Sequence, residues 1–269
     1  MTWWMVALLL PGLYLFLICP RFPRKSRWPA GVFQYDYAHR GLYGGSIPEN
    51  SLQAFERAAE RGYGIELDLH LTRDGELIVM HDATLTRMCG VKRRISEMTV
   101  GEIRQYKLAG SSESVPTFAE ALNCIKGRVP LIIELKSAGK RNAELAQKTC
   151  QQLEDYPENW IVESFDPRLL LWFRRHAPQV IRGQLAFDPR FGEPPGKGIG
   201  YWFLANLLMN CISRPDFVAY CHETDQNLSF RVMRQLFRPV LVAWTVKNKE
   251  TCQRLRSQYD LQIFEGFEP

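Results

Sequence analysis

Ala38-His39-Arg40-Gly41 closes a short apolar run, and Pro48-Glu49-Asn50-Ser51, Glu66-Leu67-Asp68 and His81-Asp82 follow it in order. The second half of the chain adds Glu134-Leu135-Lys136 and Trp244-Thr245-Val246. Each charged group ends or interrupts an apolar segment of strand length, and the segments between them have helical spacing. Strands are predicted near 35–39, 64–70, 130–136, 160–165, 180–186, 216–221, 240–246 and 261–265, alternating with helices. Eight parallel strands in 269 residues fit a TIM (β/α)8 barrel, which commonly needs about 250 residues.

Thr72-Arg73-Asp74-Gly75 reads as a hairpin turn after the second strand, a small insertion that folds the chain back and returns His81 beside Glu66. The first helix is expected to be capped by Asn50, with Leu52, Phe55, Ala58 and Ala59 as its apolar stripe and Gly62 as its stop. Glu66 and Asp68, two apart in a strand, leave the same face, and Glu134 and Lys136 repeat that geometry. Three carboxylates at one barrel mouth repel one another unless a cation sits among them. All-oxygen ligation favours Mg2+ or Ca2+ over zinc, and no His-x-x-x-His or cysteine-rich spacing argues otherwise. Histidines move protons near neutral pH and arginine neutralises phosphate oxygens. Together these are the parts required to cleave a phosphodiester.

The ordered set resembles the glycerophosphodiester phosphodiesterase family, whose members carry His-Arg-Gly, Pro-Glu-Asn-Thr/Ser, Glu-x-Asp, Thr-x-Asp-Gly, His-Asp, Glu-x-Lys and Trp-Thr-Val in this order. The resemblance runs over residues 35–269. It implies His39 and His81 as the proton-transfer pair, Glu66, Asp68 and Glu134 as metal ligands, and Arg40 and Lys136 as phosphate contacts. It further implies attack by the glycerol 2-hydroxyl, giving a cyclic phosphate that water opens. Asn50 is placed as a substrate contact from the helix start, Trp244 as a wall of the glycerol pocket, and Glu163 as an outer contact; His70, His176 and His222 are read as surface or satisfied core residues. Two positions depart from the family pattern. Leu85-Thr86-Arg87-Met88-Cys89 stands where Leu-x-Arg-Thr-Thr is usual, and Ile263-Phe264-Glu265 stands where the last strand usually reads Ile-Thr-Asp. Neither is expected to touch the catalytic set.

Residues 1–20 contain no charged side chain, and Arg21, Arg24, Lys25 and Arg27 follow directly. The net charge of +5 therefore lies almost wholly in this segment, which leaves no nucleic-acid footprint on the rest. The pattern predicts a transmembrane anchor over 1–20, a basic juxtamembrane linker over 21–34 and a barrel domain over 35–269. The charge asymmetry puts the barrel on the cytoplasmic side of the cell membrane. A cleaved signal peptide fits less well because the positive charge follows the apolar run instead of preceding it; a segment lying in the interface is the other alternative. The apolar run 199–212 is too short to span a bilayer and is expected to be a buried helix in preference to a membrane contact. Seven scattered cysteines without a framework spacing suit a reducing compartment.

The leading expectation is a hydrolase that converts small glycerophosphodiesters to glycerol 3-phosphate and an alcohol. A lysophospholipase D acting on membrane lysolipids is the alternative with the same chemistry. A non-catalytic membrane-bound phosphate-binding module would be expected to lack a histidine or a ligand carboxylate, and none is missing here. A phosphatidylinositol-type phospholipase C shares the barrel and the two histidines but not Glu134-x-Lys136.

Overall fold

The computed structural model describes residues 3–22, 27–29, 31–156, 159–188 and 198–269, with side chains from residue 9 onward. All eight expected barrel strands form: β1 (Tyr37–Ala38), β2 (Gly64–Leu71), β4 (Leu131–Leu135), β5 (Trp160–Ser164), β6 (Arg182–Ala186), β7 (Phe217–Cys221), β8 (Val240–Val246) and β9 (Leu261–Phe264). They pair in parallel, and β1 hydrogen-bonds both β2 and β9, which closes the sheet. The ninth strand, β3 (Leu77–Val79), is the return arm of the hairpin and lies antiparallel to β2.

Strand alternation sorts the side chains into two layers. Leu67, Leu69, Ile133, Leu135 and Val162 point outward beneath the helices, while Ile132, Ile161, Phe217, Ala219 and Val242 form the buried interior. Two glycines make room for rings inside: a Cβ on Gly64 would meet the Tyr37 ring at 2.6 Å, and one on Gly183 would run into the Phe217 ring. The outer layer includes α2 (Leu52–Glu60), α5 (Phe118–Ile125), α6 (Asn142–Gln152), α7 (Pro167–His176), α10 (Leu228–Phe237) and α11 (Lys249–Leu255). Two short helices, α3 (Thr86–Cys89) and α4 (Val100–Ile103), belong to the insertion after β3. Ile78, Met80, Leu85, Met98 and Leu108 give that insertion its own small core.

Three expectations are corrected. The cap of α2 is Ser51, whose hydroxyl accepts from the Ala54 N–H at 3.2 Å; Asn50 sits one residue earlier at φ 53° and turns its side chain inward. The hairpin closes with Thr72 N–H donating to Glu76 O, so its centre falls on Asp74 and the return arm is shifted by one. Leu69 pairs with Val79 and Met80 N–H donates to Asp68 O, which puts His81 one step from its expected level beside Glu66.

The third correction concerns the N-terminus. Residues Trp3–Ile18 form α1, but among the described residues no helix is long and apolar enough to cross a membrane, so the expected span over 1–20 is not met. Its last turn is docked on the barrel: Ile18 is fully buried, Asn210 Nδ2 donates to Ile18 O, and Tyr14 Oη donates to Ser229 Oγ. Arg21 and Arg27 bond Asp216, whereas Arg24 and Lys25 of the expected linker lie outside the described residues. The run 199–212 divides. In α8 (Ile199–Ala205) Ile199, Trp202 and Phe203 are exposed, whereas Leu207, Leu208 and α9 (Asn210–Ser213) run into the core.

Candidate active site

β2, β4 and β5 carry the site because their inward positions change from apolar to acidic toward their C-terminal ends. Glu66 and Asp68 follow one another on the inner face of β2, and the registers Asp68 to Glu134 and Glu134 to Glu163 align carboxylates on three adjacent strands. All four are buried. Oxygens of Glu66, Asp68 and Glu134 lie within 4.8 Å of one another, a set that can hold a metal ion. Lys136 Nζ reaches Glu134 at 2.6 Å and Asp68 at 2.8 Å, and Asn50 Nδ2 donates to Asp68 at 2.8 Å.

These carboxylates respond differently to burial. Glu66 is held well above the usual carboxylate range by desolvation and by the charges of Asp68 and Glu134. Glu134 is pushed up to about 7 by burial, against the pull of Lys136. Asp68 goes the other way: burial would raise it, but Lys136, His81 and Arg40 outweigh that and hold it far below the usual range. Glu163, also raised by burial and by Glu134, keeps one buried oxygen without a hydrogen-bond donor, as does the Oδ1 of Asn50. Four carboxylates and an amide oxygen against Lys136 and Arg40 are an acceptor-rich pocket short of positive charge, and hard oxygen donors in that number suit a divalent cation.

Both histidines flank this pocket and each is oriented through Nδ1. His39, at the end of β1, has Nδ1 at 2.6 Å from Glu265 Oε2 and Nε2 at 4.0 Å from Glu66. His81 has Nδ1 at 2.7 Å from Asp82. Burial lowers the pKa of both imidazoles, His39 against the pull of Glu265 and His81 against that of Asp68. The fixed Nδ1 contacts leave Nε2 as the nitrogen free to exchange a proton with a substrate. His70 is buried and its Nε2 lies 3.1 Å from the carbonyl of His81, which steadies the segment carrying that imidazole and matches its reading as a satisfied core residue.

Arg40 sits at φ 57°, donates its backbone N–H to Glu66 at 2.9 Å and its guanidinium to Glu49, and has Nε 3.7 Å from Asp68. Glu49 in turn receives Arg87, which also clamps Asp82. Trp244, on β8, packs edge-on against Phe165 and Phe187 with centroids 5.7 and 6.3 Å away, forming an aromatic wall at the ends of β5, β6 and β8. Glu265 is a contact of His39 that the sequence alone did not indicate. The departure from the family pattern at the last strand does reach His39, one of the two imidazoles expected to move protons, and the His39 contact, aided by the Tyr43 hydroxyl, holds the Glu265 carboxyl at about 2. Its signal was positional: it is the first residue beyond the C-terminal end of β9, where barrel active sites are built.

A closed parallel barrel that presents two imidazoles, a guanidinium, an ammonium and a carboxylate cluster at the C-terminal ends of its strands has the layout of a phosphodiester-cleaving enzyme. Residues 39–259 match the Glycerophosphoryl diester phosphodiesterase family, and the chain belongs to that family of enzymes. A glycerophosphodiester phosphodiesterase of Caldanaerobacter subterraneus subsp. tengcongensis is 30% identical over 230 residues, covering 81% of this chain and 88% of the relative. One from Bacillus altitudinis is 32% identical over 164 residues, 56% of this chain and 66% of the relative's length. The fold is shared with a phosphodiesterase of Oleispira antarctica solved with the product sn-glycerol-3-phosphate, at TM-score 0.70 and 20% identity over 86% of this chain and 92% of that one.

Proposed function

We propose that the protein hydrolyses glycerophosphodiesters to glycerol 3-phosphate and an alcohol. The observation that carries this reading is the pair His39 and His81, each with Nδ1 fixed by a carboxylate at the edge of one buried acidic cluster. One Nε2 takes the proton of the attacking hydroxyl while the other returns a proton to the leaving alkoxide, so the alcohol departs neutral. Arg40 and Lys136 supply positive charge to the phosphoryl oxygens as negative charge builds on them. Glu66, Asp68 and Glu134 would hold a divalent cation, Mg2+ or Ca2+, which adds Lewis-acid polarisation of the phosphoryl oxygen. Asn50 acts through Asp68, which its amide orients, and Trp244 with Phe165 and Phe187 forms an apolar wall for the organic part of the substrate.

That wall also suits a lysolipid, so turnover on lysophosphatidylcholine is a second reading with the same chemistry. The uncharged N-terminal helix supports attachment at the cytoplasmic face of the cell membrane. The decisive experiment measures release of glycerol 3-phosphate from glycerophosphocholine before and after dialysis against chelator. Turnover that collapses and returns with Mg2+ or Ca2+ supports the proposal; full turnover in excess chelator overturns the metal assignment, and no turnover on any glycerophosphodiester overturns the function.

A further inference from the structure

α1 does not lie flat along the barrel for its whole length. Its C-terminal end is at the bottom of the barrel, where Arg21 N–H donates to Pro215 O just before β7, and Cys19 O accepts from Arg214. Four residues before Ile18, Tyr14 bonds Ser229 in the first turn of α10, which starts just after the C-terminal end of β7. The helix therefore climbs the wall toward the active-site end. Residues 9–13 are exposed without interruption, which means that the helix has left the barrel by that point. Residues 3–13 extend it roughly 16 Å past the Tyr14 contact at about 1.5 Å per residue, on the side of the molecule where the mouth opens.

A second apolar element stands at the same rim. Ser229 Oγ passes its hydrogen bond on to Asn206 at 3.2 Å, which ties the end of α8 to the point where α1 leaves the barrel. Leu9, Leu10 and Leu13 of α1, Trp202 and Phe203 of α8, and Leu228 of α10 are all exposed there. Neither residues 1–20 nor residues 198–213 contain a charged side chain. A protein partner covers one face of a helix, and the others remain polar; α1 is apolar on every face, the pattern of a helix immersed in hydrocarbon.

We propose that residues 3–13 and the exposed edge of α8 insert together into one leaflet of a lipid membrane, so that the barrel docks with its active-site mouth turned toward the lipid surface. The free length of α1 is about half of a hydrocarbon core of about 30 Å, which suits entry into a single leaflet without crossing. Arg21 and Arg27 are held at the far end by Asp216, so these two of the basic residues expected to flank a membrane span face away from this contact. Docking in this orientation lets a phosphodiester headgroup enter the mouth while its apolar part stays with the lipid. The inference rests on the membrane attachment proposed above and adds its depth and orientation.

Hydrogen exchange of the full chain, with and without vesicles of phosphatidylcholine and phosphatidylglycerol, tests it. Vesicles should slow exchange over residues 9–13 and in α8 and leave the loops before β6 and β8, at the opposite end, unchanged. Leu9→Asp with Leu13→Asp, and separately Trp202→Ala with Phe203→Ala, should each lower the vesicle-bound fraction several-fold while turnover on glycerophosphocholine without vesicles stays the same. Protection of α1 alone overturns the orientation. Protection at the opposite end does so as well. Association of the chain with itself, abolished by the same substitutions and accompanied by no vesicle binding, overturns the lipid partner. Because glycerophosphocholine turnover is read without vesicles, failure of the enzymatic proposal appears independently of these outcomes.

Discussion

The two ends of the barrel each bury a cluster of charges, and the two clusters are balanced in opposite ways. At the N-terminal end one carboxylate, Asp216, receives Arg27 at 3.0 Å, Arg21 at 3.5 Å and both the backbone N–H and guanidinium of the buried Arg182. Arg182 also donates to the carbonyls of Ser213 and Arg214, and burial with the neighbouring guanidiniums of Arg21, Arg27 and Arg174 lowers it to about 10 against the pull of Asp216. No buried side-chain nitrogen or oxygen of Arg182 or Asp216 is left without a partner. At the C-terminal end Glu66, Asp68, Glu134 and Glu163 share Lys136 and Arg40, three of the acids are pushed up by burial and mutual repulsion, and buried acceptor oxygens go without donors. The first cluster is complete as it stands, and the second is complete only with something added. That distinction, more than burial or charge alone, separates a structural ion cluster from a site.

The largest expected effects lie at the incomplete end. His39→Ala and His81→Ala should each cost about 10²–10⁴-fold in kcat with the fold intact, the range for a positioned acid or base. Glu134→Gln should cost more than the about 10–100-fold typical of an outer-shell partner, because it removes ligand charge and keeps shape. The same change should leave the melting temperature equal or higher without metal, since it relieves repulsion within the cluster. A Glu134→Gln protein that loses both activity and fold would erase the contrast between the two ends.

Asp216→Ala is the counterpart at the complete end. It strands a buried guanidinium, and breaking a buried pair from one side costs about 3–5 kcal/mol of stability. Denaturant unfolding should register that loss, while kcat of the folded fraction stays at the wild-type value. A fall in kcat without a fall in stability would assign the bottom cluster a functional role it does not have in this account.

Glu265→Gln probes the border between the two kinds of contact. Glu265 fixes the His39 imidazole, so an amide there should lower kcat by about 10–100-fold, the usual cost of an orienting partner, with little change in KM. Glu265→Asp should recover part of that loss only if the shorter carboxylate still reaches Nδ1. Near-normal kcat in Glu265→Gln would reduce the contact to a surface ion pair.

The barrel was legible because each strand is an apolar run bounded by helical spacing, and the acidic cluster was legible because Glu66, Asp68 and Glu134 interrupt such runs at period two. What escaped the sequence was decided by contacts between distant residues. Asn50 and Ser51 are both good capping residues, and the choice between them is made by Asp68, which takes the Asn50 amide. Glu265 meets His39 only after the barrel has closed through the pairing of β1 with β9. In α1 uniform apolarity hid the division at Tyr14, because a pattern that is the same on every face cannot say which turn is docked and which is free.

The smallest effect tests whether position or balance is the better criterion. Asp166 lies just past the C-terminal end of β5, on the active-site side, yet its partners are complete: it caps α7 through the Arg168 N–H at 2.9 Å and also receives the Arg168 guanidinium, Ser137 and Asn142. Burial would raise its pKa, but those donors outweigh burial and hold the carboxyl at about 2. A carboxylate depressed in the folded state stabilises it above the unfolded pKa and loses that contribution as pH falls through the folded value. Asp166→Ala should therefore cost about 1 kcal/mol near neutral pH, as for other lost caps. The gap between variant and wild type should narrow as pH falls from about 5 to about 2, with kcat unchanged throughout. If Asp166→Ala instead lowers kcat as strongly as Glu265→Gln, location at the mouth outranks charge balance as the mark of function in this barrel.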